Sequence, residues 1–157
     1  MAMSETPAVL VSACLLGSRC RYNGKGELHE GVERLMARYR LVPVCPEIYG
    51  GLPTPRVPAE RSGSRVVGKN GEDVTAQYGK GAEEALHLAQ LYRCRAAVLK
   101  ERSPSCGSGR IYDGTHTGTL TAGDGVTAEL LKAHGIAVVG ESETDKLEKL
   151  IDDMERM

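Results

Sequence analysis

Four short, nearly all-apolar runs punctuate this chain, with stretches of helical spacing between them. They are residues 8–12, 41–45, 95–99 and 136–139. Short apolar runs without polar alternation are what strands buried on both faces look like. Strands alternating with helices specify a layered fold, with helices covering both faces of a mainly parallel sheet. The expected fold is therefore α/β, a three-layer Rossmann-like sandwich of about four or five strands. Apolar spacing places helices at residues 30–40, 75–92, 127–133 and 144–154. Val32, Leu35 and Met36 form the apolar face of the first; Leu147, Leu150, Ile151 and Met154 form that of the last. Thr75 is expected to cap the second. Asn70-Gly71 predicts a small hairpin between residues 65–67 and 72–74. Residues 46–61 carry four prolines and read as loop; residues 107–125 carry six glycines and read as a long loop or small hairpin. No composition break, linker or internal repeat divides residues 1–157, which are expected to form a single domain.

Right-handed crossovers put the carboxyl ends of all these strands on one side. Loops on that side are long and rich in Gly and Pro, whereas those on the other side, near Arg40 and Gly135, are short. Ligands of open parallel sheets bind beyond the carboxyl ends of the strands. Three cysteines fall there: Cys14 after the first run, Cys45 closing the second, and Cys106 a few residues beyond the third. Cys20 shares the first loop and reads as a spare ligand, a packing residue or a disulfide partner. Cys94 precedes its strand, at the opposite rim, and reads as structural. No C-x-x-C pair exists, which argues against zinc ribbons and thioredoxin-type chemistry.

Thiolates select zinc, copper(I) or iron–sulfur clusters. Zinc on three sulfurs wants a fourth ligand, and the four histidines (His29, His87, His116, His134) show no ligand spacing. His87 and His134 are expected on helix surfaces; His116, in the glycine-rich loop, is expected to be exposed though within reach of the site. A cubane cluster tolerates three protein thiolates and leaves one iron open as a Lewis acid. Glu47, in Cys45-Pro46-Glu47, is placed for acid–base work beside whatever Cys45 binds. Ser103 is placed to orient a substrate or to cap a turn. Arg56 binds an anion or braces the proline loop, and Lys100, Glu101 and Arg102 read as a solvated charge cluster.

The composition closes other routes. Net charge is −1, and the aromatics are six Tyr with no Phe or Trp, so neither a basic stripe nor a stacking surface marks a nucleic-acid polymer as partner. The apolar stretches fall well short of the roughly 18 residues of a membrane span. Residues 1–7 lack the features of a secretory signal, and five cysteines without a framework pattern argue for reduced thiols. The expectation is a cytoplasmic protein. A cysteine-nucleophile phosphatase would need Arg in a C-x5-R pattern; Arg19 stands one residue early and Cys20 takes its place.

Read together, the segments resemble a known family. The blocks are residues 11–17 (Val-Ser-Ala-Cys-Leu-Leu-Gly) with 20–24, then Cys45-Pro46-Glu47 with 50–56, then 71–75 with Gly81-Ala82, then 99–107 with 111–114. In order and over nearly the whole chain, they resemble the thiouracil desulfurase family. The resemblance implies a 4Fe–4S cluster on Cys14, Cys45 and Cys106, with one iron free of protein ligands to take the thiocarbonyl sulfur of a small thiolated pyrimidine. It implies Glu47 and Ser103 as acid–base and substrate-positioning residues, and desulfuration of 2-thiouracil or a related compound by net non-redox hydrolysis. It also implies an aromatic, commonly Phe, at the position of His116, so a pocket-lining His116 would alter the substrate. The competing expectation is an iron–sulfur or zinc-binding sensing module without turnover. Intact Glu47 and Ser103 favour the enzyme.

Overall fold

The computed structural model describes residues 6–156. Its first half runs β1 (Ala8–Ser12), α1 (Glu30–Arg34), β2 (Arg40–Val44), α2 (Pro46–Tyr49), β3 (Ala59–Ser62), β4 (Arg65–Gly68) and α3 (Thr75–Leu91). The second half is β5 (Ala96–Leu99), β6 (Arg110–Tyr112), β7 (Leu120–Ala122), α4 (Val126–Ala133), β8 (Ala137–Gly140) and α5 (Thr144–Glu155). The central sheet is fully parallel, in the order β2-β1-β5-β8. This is the expected layered α/β fold. Two separate antiparallel hairpins, β3-β4 and β6-β7, accompany it.

The sheet is buried on both faces, as the all-apolar runs require. Val9 and Val11 of β1, with Ala96 and Val98 of β5, pack against Val32, Leu35, Leu147 and Ile151. The alternate residues Leu10, Ala97 and Leu99 pack on the other face against Ala85, Ala89, Ala128 and Leu131. Each fully buried Leu or Val adds about 1.5–3 kcal/mol over its exposed state. Pro43 is tolerated because β2 is an edge strand. No helix among the described residues is long and apolar enough to cross a membrane.

Local expectations differ from the structure in four places. The first helix is α-helical only to Arg34 and tightens into a 3-10 turn, Leu35–Ala37, so Met36 turns outward to 60 % exposure. The proline-rich stretch is not all loop. Cys45 precedes a four-residue helix with Pro46 at its first position, where a missing N–H costs nothing. The strand starting at Arg65 pairs along its length with Ala59–Ser62, a partner the sequence did not suggest, and meets residues 72–74 on its other edge. Asn70-Gly71 does form a turn, and the expected hairpin follows it in short form: the Gly68 N–H donates to the Glu72 carbonyl at 2.8 Å, the Val74 N–H to the Val66 carbonyl at 2.9 Å, and Val67 bridges Asp73. Finally, Thr75 does not cap α3. Its hydroxyl accepts from the Val66 N–H at 2.9 Å, while the Asp73 carboxylate accepts from the Thr75 N–H at 2.9 Å.

One packing seam, between α2 and α3, fixes the rim beyond β2. A Cβ on Gly81 of α3 would lie 1.9 Å from the Pro46 carbonyl oxygen, and one on Gly50 would lie 2.0 Å from that of Gln77. The two helices therefore meet main chain to main chain. Gly81→Ala is expected to lower the thermal midpoint by about 2–12 °C, from overpacking of ~1–3 kcal/mol. A circular dichroism melt indistinguishable from wild type would show that α2 can step aside.

Candidate active site

A cavity of about 410 Å³ opens beyond the carboxyl ends of β1, β2 and β5. Cys14, Cys45, Cys106, Glu47 and Ser103 all line it, although they come from three separate segments. Cys94 does not. It is buried after α3 at the opposite rim, where burial pushes its thiol up to about 11.

Each thiol is set by a short, constrained piece of chain. Cys14 sits in a tight turn, Ala13–Leu15, directly after β1, and its carbonyl accepts the Gly17 and Glu27 N–H groups at 3.3 and 3.1 Å. Cys45 occupies the N-cap position of α2. Cys106 hangs on a loop organised by Ser103, whose Oγ accepts the N–H groups of Ser105 and Cys106, each at 3.1 Å. Those two bonds use the oxygen's lone pairs and leave the Ser103 hydroxyl proton to donate elsewhere. The same loop abuts the start of α4 closely enough that Gly125 has no room for a side chain; a Cβ there would lie 2.4 Å from the Ser105 carbonyl carbon.

All five cysteines are free thiols. Burial is the main force pushing the Cys106 thiol up to about 12, with a hydrogen bond from Ser12 acting the other way. Cys45 is raised first by its hydrogen bond with Cys20 and then by burial. Cys20 is raised first by its hydrogen bond with Cys14. Cys20 thus stands between Cys14 and Cys45 on the cavity wall, a closeness that spacing in the sequence left open.

The donor set at this cavity is three thiols from three separate segments. Among the described residues, no three or more His, Cys, Asp or Glu side chains form a group that could hold a single metal ion. Thiols from separate segments ringing one cavity suit a polynuclear centre, where each thiolate holds a different iron. The residues present fit an iron–sulfur cluster.

Glu47 stands on the first turn of α2. Its Oε1 accepts from Arg56 Nε at 3.0 Å and from the Tyr78 hydroxyl at 2.7 Å. Arg56 does brace the proline loop, donating to the Pro53 carbonyl at 3.2 Å and to Thr54 Oγ1 at 3.0 Å. It also reaches the Cys20 carbonyl at 2.8 Å.

The charges after β5 are not simply solvated. Lys100 pairs with Glu141 at 3.0 Å, and the Glu141 carboxylate accepts the Glu101 N–H at 2.7 Å, tying this loop to the end of β8. Only Arg102 of that trio is exposed. The roof is the pair of hairpins, joined by Glu60, which accepts the N–H groups of Gly114 and His116 at 2.9 and 3.1 Å. His116 is neither exposed nor a lining residue. It is 21 % exposed and lies against Glu60, Nδ1 to Oε2 3.7 Å. The side chain at this position therefore bears on the roof and not directly on the pocket wall.

Two wall residues escaped the sequence reading. Tyr78 looks like any core tyrosine of an amphipathic helix, and only the glycine seam brings it to Glu47. Ser12 ends an apolar strand, yet its hydroxyl accepts the Lys100 N–H at 2.8 Å and faces Cys106. Serine as the one polar residue in a buried run was the available signal.

Residues 9–143 match the family model described as 2-thiouracil desulfurase. The uncharacterized protein YbbK of Bacillus subtilis (strain 168) is 44 % identical over 149 residues, covering 88 % of this chain and 99 % of its own. Among solved structures, the 4Fe–4S-dependent thiouracil desulfidase TudS (DUF523Vcz) superposes with a TM-score of 0.88. It shares 47 % identity, over 93 % of this chain and 98 % of TudS.

Proposed function

The chain belongs to the 2-thiouracil desulfurase family, and from that premise we propose that it removes sulfur from 2-thiouracil or a related thiolated uracil. The reaction is a net hydrolysis. The water oxygen replaces sulfur on the ring carbon, the C=S bond gives way to C=O, and sulfur leaves as hydrosulfide without electron transfer. The cofactor is a 4Fe–4S cluster on Cys14, Cys45 and Cys106, with one iron free of protein ligands. When bound, it supplies a soft Lewis acid that polarises the thiocarbonyl carbon. The observation that carries this reading is the meeting of those three thiols with Glu47 and Ser103 around one cavity.

The chain's own groups divide the remaining work. Glu47 takes a proton from the attacking water or returns one to the ring. Ser103, its lone pairs already occupied, donates its hydroxyl proton to a ring oxygen or nitrogen. Ser12, Cys14, Cys106 and Tyr78 of the wall are buried, which lowers the local dielectric and strengthens both interactions. Five free thiols fit work in the reducing cytoplasm.

The deciding experiment is a sulfide-release assay on a panel of thiolated pyrimidines after anaerobic cluster reconstitution. Hydrosulfide and the oxygenated pyrimidine should appear in equal amounts. A loaded protein that binds these compounds and turns over none of them would be a sensing module instead. Ser103→Ala is expected to lower kcat/KM by about 10²-fold, the scale of one donor lost from a desolvated site. Ser103→Thr, which keeps the hydroxyl, should recover most of it; equal losses in both would remove the donor role.

A further inference from the structure

The carboxylate of Glu47 is held on one side only. Both of its donors converge on Oε1, Arg56 from one wall and Tyr78 from α3. Among the described residues Oε2 takes no hydrogen bond, and the side chain lines the cavity. Neither donor is adventitious. The Arg56 side chain is 5 % exposed, and its other nitrogens are committed to three loop groups: the Cys20 carbonyl, the Pro53 carbonyl and Thr54 Oγ1. Tyr78 is 2 % exposed and packs with Val66 and Val74. Burial, then the neighbouring Glu47 carboxylate, push its phenol far above the ordinary range, so the hydroxyl keeps the proton that it donates to Glu47.

We propose that Arg56 and Tyr78 are positioning residues of the desulfuration: by pinning Oε1 they present Oε2 as the single working oxygen toward the bound ring. This rests on the proton-carrying role of Glu47 proposed above. A free glutamate has a broad terminal torsion and two interchangeable oxygens. Pinning one oxygen removes that freedom before substrate arrives, and misplacement by about 1 Å can lower a rate 10²-fold. Arg56 adds a second constraint. The guanidinium that holds Glu47 also holds the backbone of Cys20, beside Cys14 and Cys45. It therefore fixes the spacing between the carboxylate and the thiols. The glycine seam of α2 on α3 does the same for Tyr78, since a separation greater by one methyl group would pull the phenol off Glu47.

The test uses reconstituted wild type, Tyr78→Phe, Arg56→Lys, Glu47→Ala and the Tyr78→Phe/Glu47→Ala double variant. Tyr78→Phe removes one oxygen and keeps the buried ring. It should retain full iron and wild-type KM for 2-thiouracil while kcat falls about 10–30-fold, a range between one ordinary and one strong hydrogen bond. Infrared difference spectra against Glu47→Ala isolate the Glu47 carboxylate stretch, which should shift in Tyr78→Phe whether or not substrate is turning over. Arg56→Lys, which keeps the charge but loses the fork, should also lower kcat more than it raises KM. The double variant should be no slower than Glu47→Ala alone, because Tyr78 acts only through Glu47. If Tyr78→Phe turns over normally while Glu47→Ala is inactive, the positioning proposal fails and Glu47 keeps its role. If Glu47→Ala itself turns over normally, the catalytic reading falls, and this one with it. A double variant slower than Glu47→Ala by the full Tyr78→Phe factor would also overturn the proposal, by showing that Tyr78 acts elsewhere.

Discussion

Serine in place of Cys14, Cys45 or Cys106 is expected to lower bound iron sharply and reduce turnover by at least ~10³-fold, the scale of several kcal/mol of Lewis-acid stabilisation. The change is small in volume, so the fold should survive it. Serine oxygen is a harder donor than thiolate and holds iron–sulfur clusters poorly. Each thiol comes from a different loop, so none of the three can stand in for another. Cys94→Ser is the matched control: Cys94 is buried, lies outside the cavity, and its replacement should leave iron content unchanged. Cys20→Ser separates a neighbour from a ligand. Cys20 packs in one cluster with Cys14 and Cys45 and its carbonyl accepts from Cys45 Sγ at 3.8 Å; as a neighbour its loss should leave most of the iron in place. Iron per chain and visible absorption after anaerobic reconstitution give the answer. Wild-type iron in any one of the first three variants would remove that cysteine from the ligand set.

Glu47→Ala should have an equally large effect on rate and none on iron. General acid–base groups contribute about 10²–10⁴-fold, and a loss in that range with full cluster absorption is the expected outcome. Glu47→Gln sharpens it. The amide can still accept from Tyr78 and Arg56 through its oxygen, but it cannot carry the proton. Equal losses in the two variants would assign the effect to proton transfer; a near-normal Gln variant would assign it to structure.

Much of this was legible in the linear chain because one physical rule, burial on both sheet faces, leaves all-apolar runs that are easy to find. The cysteines were legible for a related reason, since strand ends in a parallel sheet share an edge. Short-range pairing was harder to read. Asn70-Gly71 is a good turn and brings residues 72–74 back to the strand from Arg65, but the longer pairing of that strand with Ala59–Ser62 carries no turn signal of the same kind. The helix at Pro46 was hidden because four prolines suggest loop, although proline at a first helical position favours a helix. The network around Glu47 could not be read at all. It depends on Gly50 and Gly81 letting two helices touch, and nothing local distinguishes those glycines from flexible ones. His116 shows the converse error: a polar residue in a glycine-rich loop suggested exposure, but Glu60 draws it inward.

The seam where α2 lies on α3 has a practical corollary for anyone wishing to reshape this catalyst for bulkier rings. Interlocked main chain cannot be tuned by degrees, because any added side chain there displaces the carboxylate and a thiol in one movement. The hairpin roof is fastened by side chains, through Glu60 to Gly114 and His116 and through Arg61 to Asp124 and Glu129. Those fastenings can be exchanged one at a time, so the roof is where a wider specificity is best engineered.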